Sequence, residues 1–309
     1  MLSNTAIIQK AYRSAIYNPA LWLFGLFVVG GFNLNFLHFQ NIPLRKVFLE
    51  NNPQDIALYL QTHPGALAFA SATVLFFTLI GLVVTNWSRI MLILLGRQVL
   101  EAKPIAFKQS LRETKNSLAG IIKISLLTSA LMCITAAVLI VPTLWLPMEN
   151  PLRLLLLEAS VVVFLPLAFT ISCINIFTGF YLVLYKIPLN KALNSGTDFF
   201  ISSWARILGL VLVLIIIYLA SFAVGVSVIF LAKEILRLGL LVLVKFHILP
   251  LSAIILMLKT ISTFLFWFLL SGLSVFFNQA LLILFLDLSK PIENPDYKKD
   301  IEPVPVAVV

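Results

Sequence analysis

Six stretches of this chain exceed twenty residues without a single Asp, Glu, Lys or Arg: Ser14 to Leu44, Gly65 to Ser88, Ile124 to Met148, Ala159 to Tyr185, Ile207 to Ala232 and Thr260 to Leu286. A helix of about 20 apolar residues crosses roughly 30 Å of hydrocarbon, and no soluble domain has enough interior to hide six of them. Composition agrees, with 61% hydrophobic and 11% charged residues, where soluble domains carry roughly 25% charged residues. A soluble globular fold is excluded. A transmembrane β-barrel is disfavoured too, because its strands alternate apolar and polar over about ten residues, whereas these runs are apolar on every face.

The expected fold is all-α: a polytopic transmembrane helical bundle with short amphipathic interfacial helices. Its six spans are expected near 19–37, 66–88, 122–142, 160–185, 207–232 and 261–286, in one domain over 1–288. Loops such as Asn51-Asn52-Pro53 and Glu149-Asn150-Pro151 punctuate the runs. The first run is too long for a signal peptide and lacks a small-residue cleavage site, so it reads as a retained span. The Pro-rich, charged segment 289–309 reads as a flexible cytoplasmic tail.

Orientation follows from the cationic side chains, which cytoplasmic connections retain. Six spans with both termini inside put fifteen of the 22 Lys and Arg on the inner face. The net charge of +9 is therefore a topology signal with membrane lipids as the natural partner, and nucleic acid is not expected. The stretch from Glu234 to Leu258 interrupts this scheme with Arg237, Lys245 and His247. Glu234, Arg237 and Lys245 share a narrow helical stripe, which predicts an interfacial helix. The rival is a seventh span carrying Lys245 at a cost of several kcal/mol.

Before the first span, Ile7, Ile8, Ala11, Tyr12 and Ala15 share a helical face opposite Gln9, Lys10 and Arg13, as in a surface-lying helix. Similar basic segments at Phe107 to Lys115 and Lys191 to Arg206 precede the third and fifth runs. The local echo Trp87-Ser88-Arg89-Ile90 and Trp204-Ala205-Arg206-Ile207 suggests interface anchoring, with indoles at headgroup level and arginines snorkelling to phosphate. Trp22, Trp87, Arg89, Trp204 and Arg206 are the expected anchors.

Chemistry is sparse. The spans can be drawn to exclude every ionisable side chain, so no carboxylate relay is expected. His38, His63 and His247 lack metal-ligand spacing, Cys133 and Cys173 sit in apolar runs, and neither a His-Glu-x-x-His nor a Gly-x-Ser-x-Gly motif occurs. No catalytic group, cofactor or metal is expected. Asn33, Asn35, Asn175, Thr178, Asn278 and Gln279 are polar residues within the runs. Asn33, Asn175, Asn278 and Gln279 can line a neutral path, but interhelical hydrogen bonding is the preferred reading. Gly25, Gly30, Gly31 and the segment Ser271-Gly272-Leu273-Ser274 read as close helix contacts.

The opening Asn18-Pro19-Ala20-Leu21-Trp22-Leu23-Phe24-Gly25-Leu26-Phe27, with the basic connection Lys103 to Lys115 and Leu118-Ala119-Gly120-Ile121-Ile122 after it, resembles bacterial multi-pass proteins grouped with the membrane domain found beside glycerophosphodiester phosphodiesterases. The resemblance implies a six-helix module of a bacterial cell membrane. It implies no phosphodiesterase activity, because that chemistry belongs to a separate soluble barrel. The function expected from sequence is non-enzymatic: a structural, scaffolding or accessory subunit of an envelope or transport process. It would pack with lipid, a second copy, or another membrane or cytosolic protein. The alternative is a small permease or lipid-handling transporter.

Overall fold

The structure is a computed structural model that describes residues 1–30, 64–144, 151–245 and 251–289. Among these residues the chain forms seven helices: α1 (Asn4–Tyr17), α2 (Ala20–Gly30), α3 (Pro64–Leu100), α4 (Phe107–Leu144), α5 (Pro151–Leu184), α6 (Leu189–Lys245) and α7 (Leu251–Leu288). Five of them, α3 to α7, are long and apolar enough to cross a membrane. The protein is thus a multi-pass membrane helical bundle. Asn33, Asn35, Gly31, the three histidines and the tail from 290 lie outside the described residues.

Ser3 starts α1 by accepting a hydrogen bond from the Ala6 amide at 3.2 Å, the usual N-cap device. Ile7, Ala11, Ser14 and Ala15 form its buried stripe, and that stripe packs against α7. Tyr12, expected on the apolar face, is exposed. The Trp22 indole then folds back to donate to the Ala15 carbonyl at 2.8 Å, which sets the angle between α1 and α2.

The other two basic lead-in segments are not separate interfacial helices. Each is the first few turns of a continuous long helix, α4 or α6. Nor is Glu234 to Leu258 an element of its own: Glu234 to Lys245 continues α6, while Leu251 to Leu258 opens α7. The charged stripe of Glu234, Arg237 and Lys245 therefore lies on α6 itself rather than on a separate interfacial helix. At 1.5 Å per residue the 57 residues of α6 make a rod of about 85 Å, far longer than the hydrocarbon it must cross.

Close approach fixes the packing. A β-carbon on Gly25 of α2 would stand 2.6 Å from the Ser271 carbonyl oxygen of α7, and one on Gly272 would stand 3.1 Å from the Trp22 ring. Gly196 of α6 lies equally tight on Thr178 of α5. These contacts fit the reading of Gly25, Ser271 and Gly272 as helix contacts, as small residues at membrane helix crossings allow, whereas Ser274 lines a cavity. The turn after α3 closes with a Schellman motif, in which Lys103 and Ala102 donate to the Gln98 and Val99 carbonyls at 2.9 and 3.2 Å and Ala102 takes φ 54°.

The end of the bundle nearest these turns is charged outside and aromatic inside. Arg97 and Lys103 pair with Glu101, Lys186 with Glu113, and Arg206 with Asp287. Beneath them the rings of Phe177, Phe180, Tyr181, Phe199 and Phe285 interlock at centroid separations from 4.7 to 6.4 Å. The outer helix faces, by contrast, expose Leu, Ile, Val and Phe, as lipid-facing surfaces do.

Candidate functional site

Above the aromatic plug the helices separate around a cavity of about 1050 Å³, lined by six of the seven described helices, all but α1. Helical periodicity puts polar residues there. On α3, Thr78, Gly81, Thr85, Asn86 and Arg89 recur every three or four residues and face inward together, as do Ser125, Thr128, Ser129 and Cys133 on α4. Ser172 and Asn175 of α5 and Ser274 and Asn278 of α7 complete the polar lining. Ile176, Ile215, Phe277 and Leu281 are among the apolar walls, and Phe180 ties the cavity to the plug below.

Some of these groups are occupied with one another. Ser125 donates to the Asn86 carbonyl oxygen at 2.7 Å, while the Asn86 amide donates to the Leu82 carbonyl at 2.8 Å. Thr85 donates to the Phe27 carbonyl of α2 at 3.3 Å, and Thr128 to the Ile124 carbonyl at 2.6 Å. By contrast, the Oδ1 atoms of Asn175 and Asn278 are buried without a hydrogen-bond partner. A buried amide oxygen left unsatisfied costs about 1 to 3 kcal/mol, and both of these residues belong to the cavity lining.

Among the described residues, Arg89 is the only charged side chain in the lining. Its Nη2 lies 3.8 Å from where a β-carbon on Gly179 of α5 would stand, so the guanidinium rests on a side-chain-free patch of the neighbouring helix. None of the five ion pairs among the described residues includes it. Eight residues separate it from Arg97, which places it about 12 Å further along the axis from the charged end of the bundle. α3 carries Arg89 within Ser71–Leu100, a stretch long and apolar enough to cross a membrane, and turns it toward the cavity. The chain matches no known protein-family model, no curated protein and no solved structure.

The other expected anchors and path residues disperse. Arg206, the echo of Arg89, pairs with Asp287 at 3.1 Å and also donates to the Leu2 carbonyl. Trp22 packs on Phe268 at 4.7 Å, Trp87 on Phe24 at 5.5 Å, and Trp204 alone of the three is exposed. Of the expected polar path, Asn175 and Asn278 meet at the cavity. Gln279 turns away to bury itself against Gly96 of α3, and Asn33 lies outside the described residues. Among the described residues no three His, Cys, Asp or Glu converge.

Asn86 and Ser125 are the site residues that sequence reasoning missed, and Arg89, expected as an interface anchor, lines the cavity beside them. The available signal was the stripe itself: polar or small residues at 78, 81, 85, 86 and 89, repeated at 125, 128 and 129, in otherwise apolar helices.

Proposed function

We propose that this protein is a non-enzymatic, ligand-handling protein of the cell membrane with both termini cytoplasmic, a small permease or lipid-handling transporter whose ligand sits between α3, α4, α5 and α7. One observation carries this reading: two helices from different parts of the chain bring Asn175 and Asn278, each with an unpartnered Oδ1, to the lining of one cavity large enough for a small molecule or a lipid headgroup. A scaffolding or accessory subunit needs packed helices but no such cavity. The reading keeps the chain with the multi-pass proteins that its opening resembles, and assigns no catalytic residue.

The test is reconstitution into liposomes carrying a fluorescent phospholipid, with transbilayer movement followed by quenching from outside, alongside native mass spectrometry of gently extracted protein for bound solutes and lipids. Exchanging Asn175 and Asn278 together for Leu should abolish movement or retention while helical content and elution volume stay unchanged. Full activity in that variant would sink the proposal. A stoichiometric protein partner with an empty cavity would restore the accessory-subunit reading.

A further inference from the structure

Resting on that reading, we infer that the cavity takes an anion, and specifically the phosphodiester headgroup of an anionic amphiphile, held by Arg89. A guanidinium stays protonated at any physiological pH, so the charge cannot be relieved by losing a proton. Inside a membrane bundle such a charge needs a partner. Among the described residues the protein supplies none: no carboxylate lines the cavity, and no ion pair reaches Arg89. A counter-charge brought by what the cavity binds would complete the site.

The neighbouring groups suit the same ligand. Asn175 lies one helical turn before Gly179, against which the Arg89 guanidinium rests. It is therefore about 6 Å along α5 from that contact. Turning its amide about the last bond replaces the orphaned oxygen with an NH2 donor without changing shape, and the same holds for Asn278. A planar, forked guanidinium flanked by amide donors matches phosphate oxygens better than a point-charge ammonium would. The remaining walls, among them Val28, Ile215, Leu273 and Phe277, are apolar and reach from α2 round to α6. They suit an acyl chain rather than a free hydrated ion.

Native mass spectrometry of delipidated full-length protein in a neutral detergent tests this by titration with phosphatidylglycerol, phosphatidylcholine or inorganic phosphate. Cys133, exposed and lining the cavity while Cys173 is buried, gives a second readout through its rate of alkylation by N-ethylmaleimide. The expected result is phosphatidylglycerol binding at least about tenfold tighter than phosphatidylcholine, with slowed Cys133 alkylation. Both should be lost in Arg89→Gln and partly kept in Arg89→Lys, since a charge-assisted bond is worth about that factor.

A Lys10→Gln/Arg13→Gln variant, altered only at α1, should bind as the wild type does, which separates the cavity from a basic surface. Should Arg89→Gln fail to fold by circular dichroism, Asn175→Leu and Arg89→Lys carry the comparison. Equal binding of both lipids, indifferent to Arg89, would overturn the inference while leaving the cavity reading intact. Binding of phosphate alone, lost with Arg89, would overturn the amphiphile and make the substrate a free anion. Failure of all three probes, with Cys133 alkylated at one rate throughout, would overturn the inference outright; the transport assay above then decides the broader reading by itself.

Discussion

Arg89 and Gly179 make a contact across two helices: the guanidinium Nη2 is 3.8 Å from a β-carbon placed on the glycine, and Ile121 Cδ1 is 3.5 Å from it. Both are ordinary van der Waals separations, so Gly179→Ala should fold and bind ligand like the wild type. Gly179→Leu must displace Arg89 or Ile121, with the 1 to 3 kcal/mol penalty of overpacking, about 2 here. Thermal unfolding in detergent and phosphatidylglycerol titration of the two variants check the difference.

Gln279 is fully buried, and neither side-chain polar atom has a hydrogen-bond partner. Replacing an unsatisfied amide by an apolar side chain of similar length removes a desolvation penalty. Gln279→Leu should therefore leave ligand binding unchanged and hold or raise the unfolding temperature, by an amount equivalent to about 1 kcal/mol. A large fall in stability would show that the amide has a partner in the membrane. Gly96→Ala, whose β-carbon would meet Gln279, should destabilise the wild type more than it destabilises the Gln279→Leu background.

Arg206 and Asp287 pair at 3.1 Å with side chains 23% and 13% exposed, and Asp287 also accepts from the Leu2 amide at 2.9 Å. Asp287→Asn removes the charge and leaves Arg206 with the Leu2 carbonyl. The cost should be about 2 kcal/mol, below that of a fully buried pair because water reaches both groups. Hydrogen exchange should locate the loss: amides of α1 should exchange faster, while those of α4 and α5 should not change.

Glu101 closes the turn between α3 and α4 with Arg97 and Lys103, each at 2.6 Å. Partial burial pushes its carboxyl up, but the hydrogen bonds and positive charges of Lys103 and Arg97 outweigh that and hold it below the usual carboxylate range. A carboxyl lowered on folding stabilises the protein above its unfolded value, near 4.3, and that stabilisation is lost as pH falls through the folded value. Stability should thus drop on acidification below about pH 4 more steeply in the wild type than in Glu101→Gln. Parallel unfolding curves from pH 7 to 3 would count against the pairing.

Much of the bundle was legible because each helix announces itself by length and apolarity, and hydrophobic burial in lipid leaves little freedom in between. The positions of Asn175 and Asn278 were legible as polar residues in apolar runs, but their meeting was not, since it depends on how α5 and α7 are rotated. Arg89 was legible as a charge beside an apolar run, but its place in the cavity lining was not, because Gly179 of the neighbouring helix makes the room. Arg206 shows how little a local echo fixes. It shares a tryptophan two residues before it and an isoleucine after it with Arg89, yet one arginine faces a cavity and the other an aspartate, because their neighbours come from distant sequence.

The knot of Leu2, Arg206 and Asp287 also has a topological meaning. Groups joined by hydrogen bonds lie on one side of any bilayer the chain threads, so the chain must cross an even number of times between each pair of them. Between Arg206 and Asp287 two long helices, α6 and α7, leave and return, so the start of α6 and the end of α7 share one face of the bundle.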